Sequence, residues 1–120
     1  MTAYDRPDDT TALAQRQLDA YNTHDIDAFC ACFAEDVEAF ALPSMELLFT
    51  GRAELRARYG PYFEKQQPQA TLVRPRLSLG SLAIDAESVL MADGRTLEAI
   101  ALYHVEAGLI RRFWLIKPST

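Results

Sequence analysis

The side chains with chemistry to offer are few and scattered along this chain. His24 stands beside Asp25 and Asp27 in a turn, where capping and solvation account for it. His104 lies inside a strand-like run and is placed to meet a carboxylate across a sheet, an arrangement suited to proton transfer. Alternation puts it on the side of Ile100 and Leu102. Cys30 and Cys32 are two apart on a helical segment, so they point in different directions and make a poor disulfide. They read as two small buried hydrophobes. Neither pair has metal-ligand spacing. Ser44 and Ser78 lack His and Asp partners, and no glycine-rich phosphate loop occurs. Glu35, Asp36 and Glu38 form an acidic corner that helix termination and solvation explain. The residues alone assign no catalytic set, and no metal or cofactor is expected.

These groups hang on elements that periodicity reveals. Residues 1–9 read as a flexible arm and 10–117 as one domain. Asp8, Asp9 and Thr10 offer N-caps for a first helix that carries Leu13, Gln17, Leu18 and Tyr21. Asn22-Thr23-His24 turns, Asp25 caps a second helix, and Ile26, Phe29, Cys30 and Phe33 fall at i, i+3, i+4 and i+7 along it. Val37–Leu42 and Met45–Phe49 read as a strand pair broken at Pro43. Thr50-Gly51 opens a third helix with Leu55, Tyr59, Tyr62 and Phe63, kinked or ended early at Pro61. Strands follow at 70–79, 82–91, 95–105 and 109–117, with Pro75 marking an edge or bulge. Asp93-Gly94 reads as a type I′ hairpin turn, which needs positive φ at both positions. The order ααββαββββ predicts an α+β fold, a curved antiparallel or mixed sheet of about six strands around three helices.

A chain of 120 residues buries roughly two-thirds of its unfolded surface and supports one core. The net charge of −5 argues against nucleic acid and anionic membranes, which call for clustered Lys and Arg. No apolar run nears the ~20 residues of a membrane span, and the polar, acidic N-terminus has no signal-peptide pattern, so the cytoplasm is expected. The last two strands are apolar on both alternations: Ala99, Ala101 and Tyr103 against Ile100, Leu102 and His104, then Phe113 and Leu115 against Trp114 and Ile116. A sheet apolar on both faces needs two partners. One face covers the helices; the other is expected to form a homodimer.

The run YNTHDIDAFCACFAEDVEAF, the Thr50-Gly51-Arg52 helix start and the closing GLIRRFWLI resemble the nuclear transport factor 2-like superfamily, which includes ketosteroid isomerases and SnoaL-like cyclases. The resemblance covers residues 10–117 and implies a cone enclosing a mostly apolar pocket, usually in a dimer. Isomerase chemistry in that group takes a carboxylate base, a tyrosine and a protonated acid that stabilise an oxyanion. Those positions fall here at Ala41 or Leu42, at Gln17 and at Ala101, so the isomerase set is absent. The resemblance does carry aromatic pocket walls to Phe33 and Tyr59 and an apolar wall to Phe113. With Tyr21, Phe40, Phe63 and Tyr103 they make the expected ligand-binding surface, suited to a flat apolar molecule. Glu46 and Arg111 are candidate polar groups at its rim.

Three functions fit this reading. The first is a SnoaL-like module that binds a small hydrophobic molecule. The second is an isomerase, cyclase or hydrolase with a non-standard set drawn from Tyr21, Tyr59, Glu46 or Arg111. The third is a dimeric interaction module whose cavity is filled. The expected interior has aromatic walls and no carboxylate; an Asp or Glu beside a tyrosyl hydroxyl there would overturn that expectation and favour an enzyme.

Overall fold

The computed structural model describes residues 7–117. In chain order the elements are α1 (Pro7–Asn22), α2 (Ile26–Cys30), β1 (Phe33–Ala41), β2 (Leu47–Thr50), α3 (Arg52–Gln66), β3 (Gln69–Leu72), β4 (Leu77–Leu79), β5 (Leu82–Leu90), β6 (Thr96–Glu106) and β7 (Leu109–Ile116). The seven strands form one open sheet in the order β2-β1-β7-β6-β5-β3, with β4 also paired to β5. Only β1 and β7 run parallel, so the sheet is mixed. All three helices pack on one face of it. None of them is long and apolar enough to cross a membrane.

Local chemistry explains where these boundaries depart from the sequence reading. Helix α1 starts at Pro7, before the expected caps, because proline needs no N–H at a first helical position. The part of the arm at residues 1–6 lies outside the described residues. Asp25 caps α2 as expected, its Oδ1 accepting the Ala28 N–H at 3.1 Å. That helix ends at Cys30, however, and Phe33 is the first residue of β1 rather than a last helical turn. Both conformations bury the ring, which is why a short apolar run does not distinguish them. Helix α3 runs five residues beyond Pro61, to Gln66. The residue before a proline is normally pushed out of the helical region by its own Cβ; here that residue is Gly60, which has none.

The single strand expected at 70–79 is two strands, split around Pro75, so the sheet has seven strands rather than about six. The 93–94 hairpin also differs. Only Gly94 has positive φ there, and the Gly94 N–H bonds the Met91 carbonyl at 3.0 Å. The two-residue turn with positive φ at both positions is Ala107-Gly108, at 53° and 80°.

Strand alternation separates two faces. Val37, Ala39, Ala83, Asp85, Ala101, Tyr103, Ile110 and Phe113 are buried beneath the helices. Phe40 and Trp114 stack at 5.9 Å on the opposite face, alongside Ile100 and Leu102. The inner face holds one buried ion pair. Arg76, just before β4, bonds both carboxylate oxygens of Asp85, Nε to Oδ1 at 2.6 Å and Nη2 to Oδ2 at 3.0 Å. The pair is 8% and 0% exposed. Arg76 Nη1 also donates to Gln15 Oε1 at 3.1 Å and to the Thr11 carbonyl at 3.4 Å, so one guanidinium ties β4, β5 and α1 together.

Removing one partner of such a pair strands the other without compensation. Asp85→Asn should therefore cost about 3 kcal/mol in urea unfolding. A loss below about 0.5 kcal/mol, the scale of a surface change, would contradict this role.

Candidate functional site

The aromatic residues of α1, α2 and α3 meet the inner sheet face in one continuous cluster with two different ends. Its hydrocarbon end is closed. Phe29 lies 4.9 Å from Phe33 and 5.3 Å from Phe63, and Phe33 lies 5.4 Å from Phe113, centroid to centroid. These four rings are at most 2% exposed, so they fill the space they border. Burial of each contributes on the order of 2 kcal/mol.

The other end presents hydroxyls. Tyr21, Tyr59 and Tyr62 are half-buried, with Tyr59 5.9 Å from Tyr62 and Tyr62 6.1 Å from Tyr21. Helical spacing explains the grouping, since Tyr59, Tyr62 and Phe63 share one side of α3. The Tyr21 and Tyr62 hydroxyls bond each other at 2.7 Å, and Tyr62 donates onward to Met91 Sδ at 3.7 Å. Tyr103, on β6, is buried, and its hydroxyl accepts from Gln17 Nε2 at 3.0 Å. Gln17, which stands where an oxyanion tyrosine was looked for, therefore holds another tyrosine in place.

On the same inner-face alternation β5 carries two carboxylates. Ala83, Asp85 and Val89 are buried inner-face positions, and Glu87 shares their alternation. It pairs with Ala99 on one side and Leu72 on the other, and its side chain is half-buried. Asp85 has its arginine; Glu87 makes no hydrogen bond or ion pair among the described residues. Burial pushes its carboxyl up to about 7, the Asp85 charge adds to the rise, and Arg76 opposes it. The Tyr21, Tyr59, Tyr62 and Tyr103 hydroxyls are all raised as well, first by burial, with the negative charge of Glu87 adding to it in each case. Glu87, desolvated and with no counter-ion in contact, is an acid that the residues alone did not single out. Every fully buried side-chain N or O among the described residues has a hydrogen-bond partner. Glu87 and the Tyr59 hydroxyl have none, so neither is completely sealed.

Six of the seven expected ligand-binding residues come together here: Tyr21, Phe33, Tyr59, Phe63, Tyr103 and Phe113. Phe40 does not, because it stacks on Trp114 across the sheet. The remaining candidates also lie elsewhere. His24 Nε2 sits 2.8 Å from the Pro68 carbonyl, and His104 faces outward 3.5 Å from Arg112. Arg111 pairs with Asp36 and Glu38, and Glu46 is in the exposed turn before β2. Cys30 and Cys32 are free and buried, and burial raises both thiols. No cluster of three or more His, Cys, Asp or Glu among the described residues is placed to hold a metal. An open groove of about 640 Å³ is bordered by Val73, Arg74, Glu87, Glu98, Ile116 and Lys117 and by none of the rings of the cluster. Glu87 had a signal in the sequence: in LAIDAESVL, alternation puts Asp85 and Glu87 on one side with Ala83 and Val89. Two acids at apolar positions require an explanation.

Comparison with solved structures places this geometry among known folds. A Kribbella flavida protein provisionally named a ketosteroid isomerase is 27% identical over 99% of this chain and 84% of its own, with a TM-score of 0.83. A nuclear transport factor 2-like protein of unknown function from Mesorhizobium loti is 20% identical over 96% and 95% of the two chains, with a TM-score of 0.81. An epoxide hydrolase from Mycobacterium tuberculosis shares the fold at 11% identity and a TM-score of 0.81, over 93% of this chain and 84% of its own. Comparison with curated proteins gives no match. Residues 14–113 match the SnoaL-like domain family, most of the chain. The chain therefore belongs to the SnoaL-like family, within the nuclear transport factor 2-like superfamily.

Proposed function

We propose that this protein binds a small, flat, largely apolar molecule at the tyrosyl end of its aromatic cluster and that Glu87 exchanges a proton with it. The protein is then an acid–base enzyme of isomerase, cyclase or hydrolase type with its own catalytic group. The single observation behind this reading is the Glu87 carboxyl, half-buried on the inner-face alternation of β5 and without a hydrogen-bond or ion-pair partner among the described residues. A carboxyl near 7 is divided between its acid and base forms at neutral pH, so it gives and takes protons with little penalty. The provisional name of the Kribbella flavida relative accords with such chemistry, although Ala41, Gln17 and Ala101 exclude the usual isomerase set. The Phe33, Phe63 and Phe113 rings form the floor of the site, and Tyr21, Tyr59 and Tyr62 its walls.

The outer sheet face belongs to the same proposal as a homodimer surface. Its support is the Phe40–Trp114 stack with Ile100 and Leu82, which are 37% and 38% exposed. A cytoplasmic location, with both cysteines reduced, goes with it.

Three outcomes are expected. Titration with an aryl ketone should shift the NMR signals of Tyr59, Tyr62 and Glu87 together with one affinity; shifts confined to Val73, Arg74 and Lys117 would move the site to the groove. Glu87→Gln should stabilise the protein in alkaline buffer. The folded pKa of about 7 exceeds the ordinary 4.5, so the native state resists ionisation, and wild type loses stability as pH rises between those values. The charged groups that act on Glu87 are Asp85, which raises it, and Arg76, which lowers it. The variant should gain on the order of 2 kcal/mol at pH 8 and nothing at pH 4. Equal stability at both pH values would remove the desolvated carboxylate from the account. Sedimentation should give a dimer that Trp114→Glu splits into folded monomers; a monomeric wild type would end the dimer proposal.

A further inference from the structure

The sheet ends at β3, and among the described residues no further strand pairs with it. In an antiparallel ladder alternate residues turn N–H and C=O toward one neighbour, and the residues between them turn theirs the other way. Just past β3 the Val73 N–H bonds the Ala86 carbonyl on β5 at 2.9 Å. Ala70 belongs to the opposite alternation and points its backbone groups outward, away from β5. Outward groups of this kind are a template on which a second chain can add a strand. The usual deterrents are missing from the strand itself: Gln69–Val73 carries no charge and no proline, and Val73 is 47% exposed.

The turn between α1 and α2 covers this template. Asn22 Oδ1 accepts the Ala70 N–H at 2.7 Å, and Asn22 Nδ2 donates to the Ala70 carbonyl at 2.9 Å. One carboxamide thus makes the two bonds that a residue of a facing strand would make. His24 Nε2 lies 2.8 Å from the Pro68 carbonyl, the preceding outward group; a carbonyl only accepts, so that nitrogen carries the hydrogen. Gln69 fastens the turn from the strand side, its Nε2 donating to the Asn22 carbonyl at 2.7 Å. The turn is also tied to its own helix: the Thr23 N–H bonds the Asp19 carbonyl and the Asp25 N–H bonds the Ala20 carbonyl, both at 3.0 Å. Asn22 and His24 are therefore held in place against the edge rather than laid on it.

We propose that Asn22, supported by His24, is a latch on the sheet edge: by occupying the outward groups of Ala70 it bars the β3 of a second copy from pairing there and stops the sheet from extending from chain to chain. The deterrent lies in the α1–α2 turn instead of in the strand, and self-association is left to other surfaces. This role is independent of what the protein binds.

Sedimentation velocity over a range of concentrations, with amide hydrogen exchange read at Ala70, tests this. In wild type the Ala70 N–H should be protected although no strand lies beside it. Folded Asn22→Ala, when dilute, should exchange that amide about tenfold faster, the scale of one hydrogen bond. On concentration its mass should rise above that of wild type, and the Ala70 amide should become protected again. Adding Thr71→Lys, which sets like charges on the pairing strands, should abolish the rise in mass and the regained protection. The comparison is with wild type, so it holds whether wild type is a monomer or a dimer through the outer face. A purely structural role for Asn22 predicts lower stability with no protection regained on concentration. If Asn22→Ala does not fold, Asn22→Leu, of nearly the same shape and without polar atoms, carries the same expectations. A folded variant whose mass stays at the wild-type value would overturn the proposal, as would association that leaves Ala70 unprotected or persists with Thr71→Lys. Rapid exchange of the Ala70 amide in wild type would do so without any variant.

Discussion

Asp85 and Glu87 project from the same face of one strand, two residues apart, and a single arginine serves only the first of them. Arg76 reaches Asp85 from the segment that leads into β4 and spends its remaining donors on α1. That contact holds helix, edge strand and central strand in one arrangement, and it consumes the local positive charge. Glu87 is left with burial and no counter-ion. A charge in that position raises the free energy of the native state once it ionises, which proteins tolerate mainly where the group has work to do. The same ion pair thus supports the fold and leaves Glu87 without a counter-ion in contact.

The aromatic cluster divides its labour in a similar way. Phe29, Phe33, Phe63 and Phe113 are sealed and pack on one another, so their contribution is to stability and to the shape of a floor. Tyr21, Tyr59 and Tyr62 continue the same wall toward the surface but end in hydroxyls. Gln17 illustrates how a family scaffold is re-used. It occupies the position of an expected tyrosine, yet its amide holds the Tyr103 hydroxyl and keeps that side of the interior polar and satisfied.

Much of this architecture was legible in the residues, because the patterns involved are local. The Asp25 cap, the Ile26–Phe29–Cys30 stripe and the alternation of the last two strands depend on near neighbours and appear as expected. What the residues left undecided came from tertiary context. Phe33 is equally well buried as a helix or a strand residue, and Gly60 allows α3 to pass Pro61. The candidate site was half legible. Its rings follow from helical spacing, whereas Glu87 lies away from the positions where the resemblance implies a carboxylate. Glu87 lies on a different strand, and its lack of a partner depends on Arg76 choosing Asp85, a contact made across nine residues of sequence and invisible to periodicity. Phe40 shows the converse: an aromatic residue in an apolar strand reads as pocket wall, while the pleat directs it outward to Trp114.

The account rests on the protonation state of one side chain, and carbon-13 NMR of glutamate carboxyls followed against pH measures it directly. Glu87 should titrate with a midpoint of about 7. A Glu87 midpoint near the ordinary 4.5 would mean that the carboxyl is solvated, and the acid–base reading of this site would not stand.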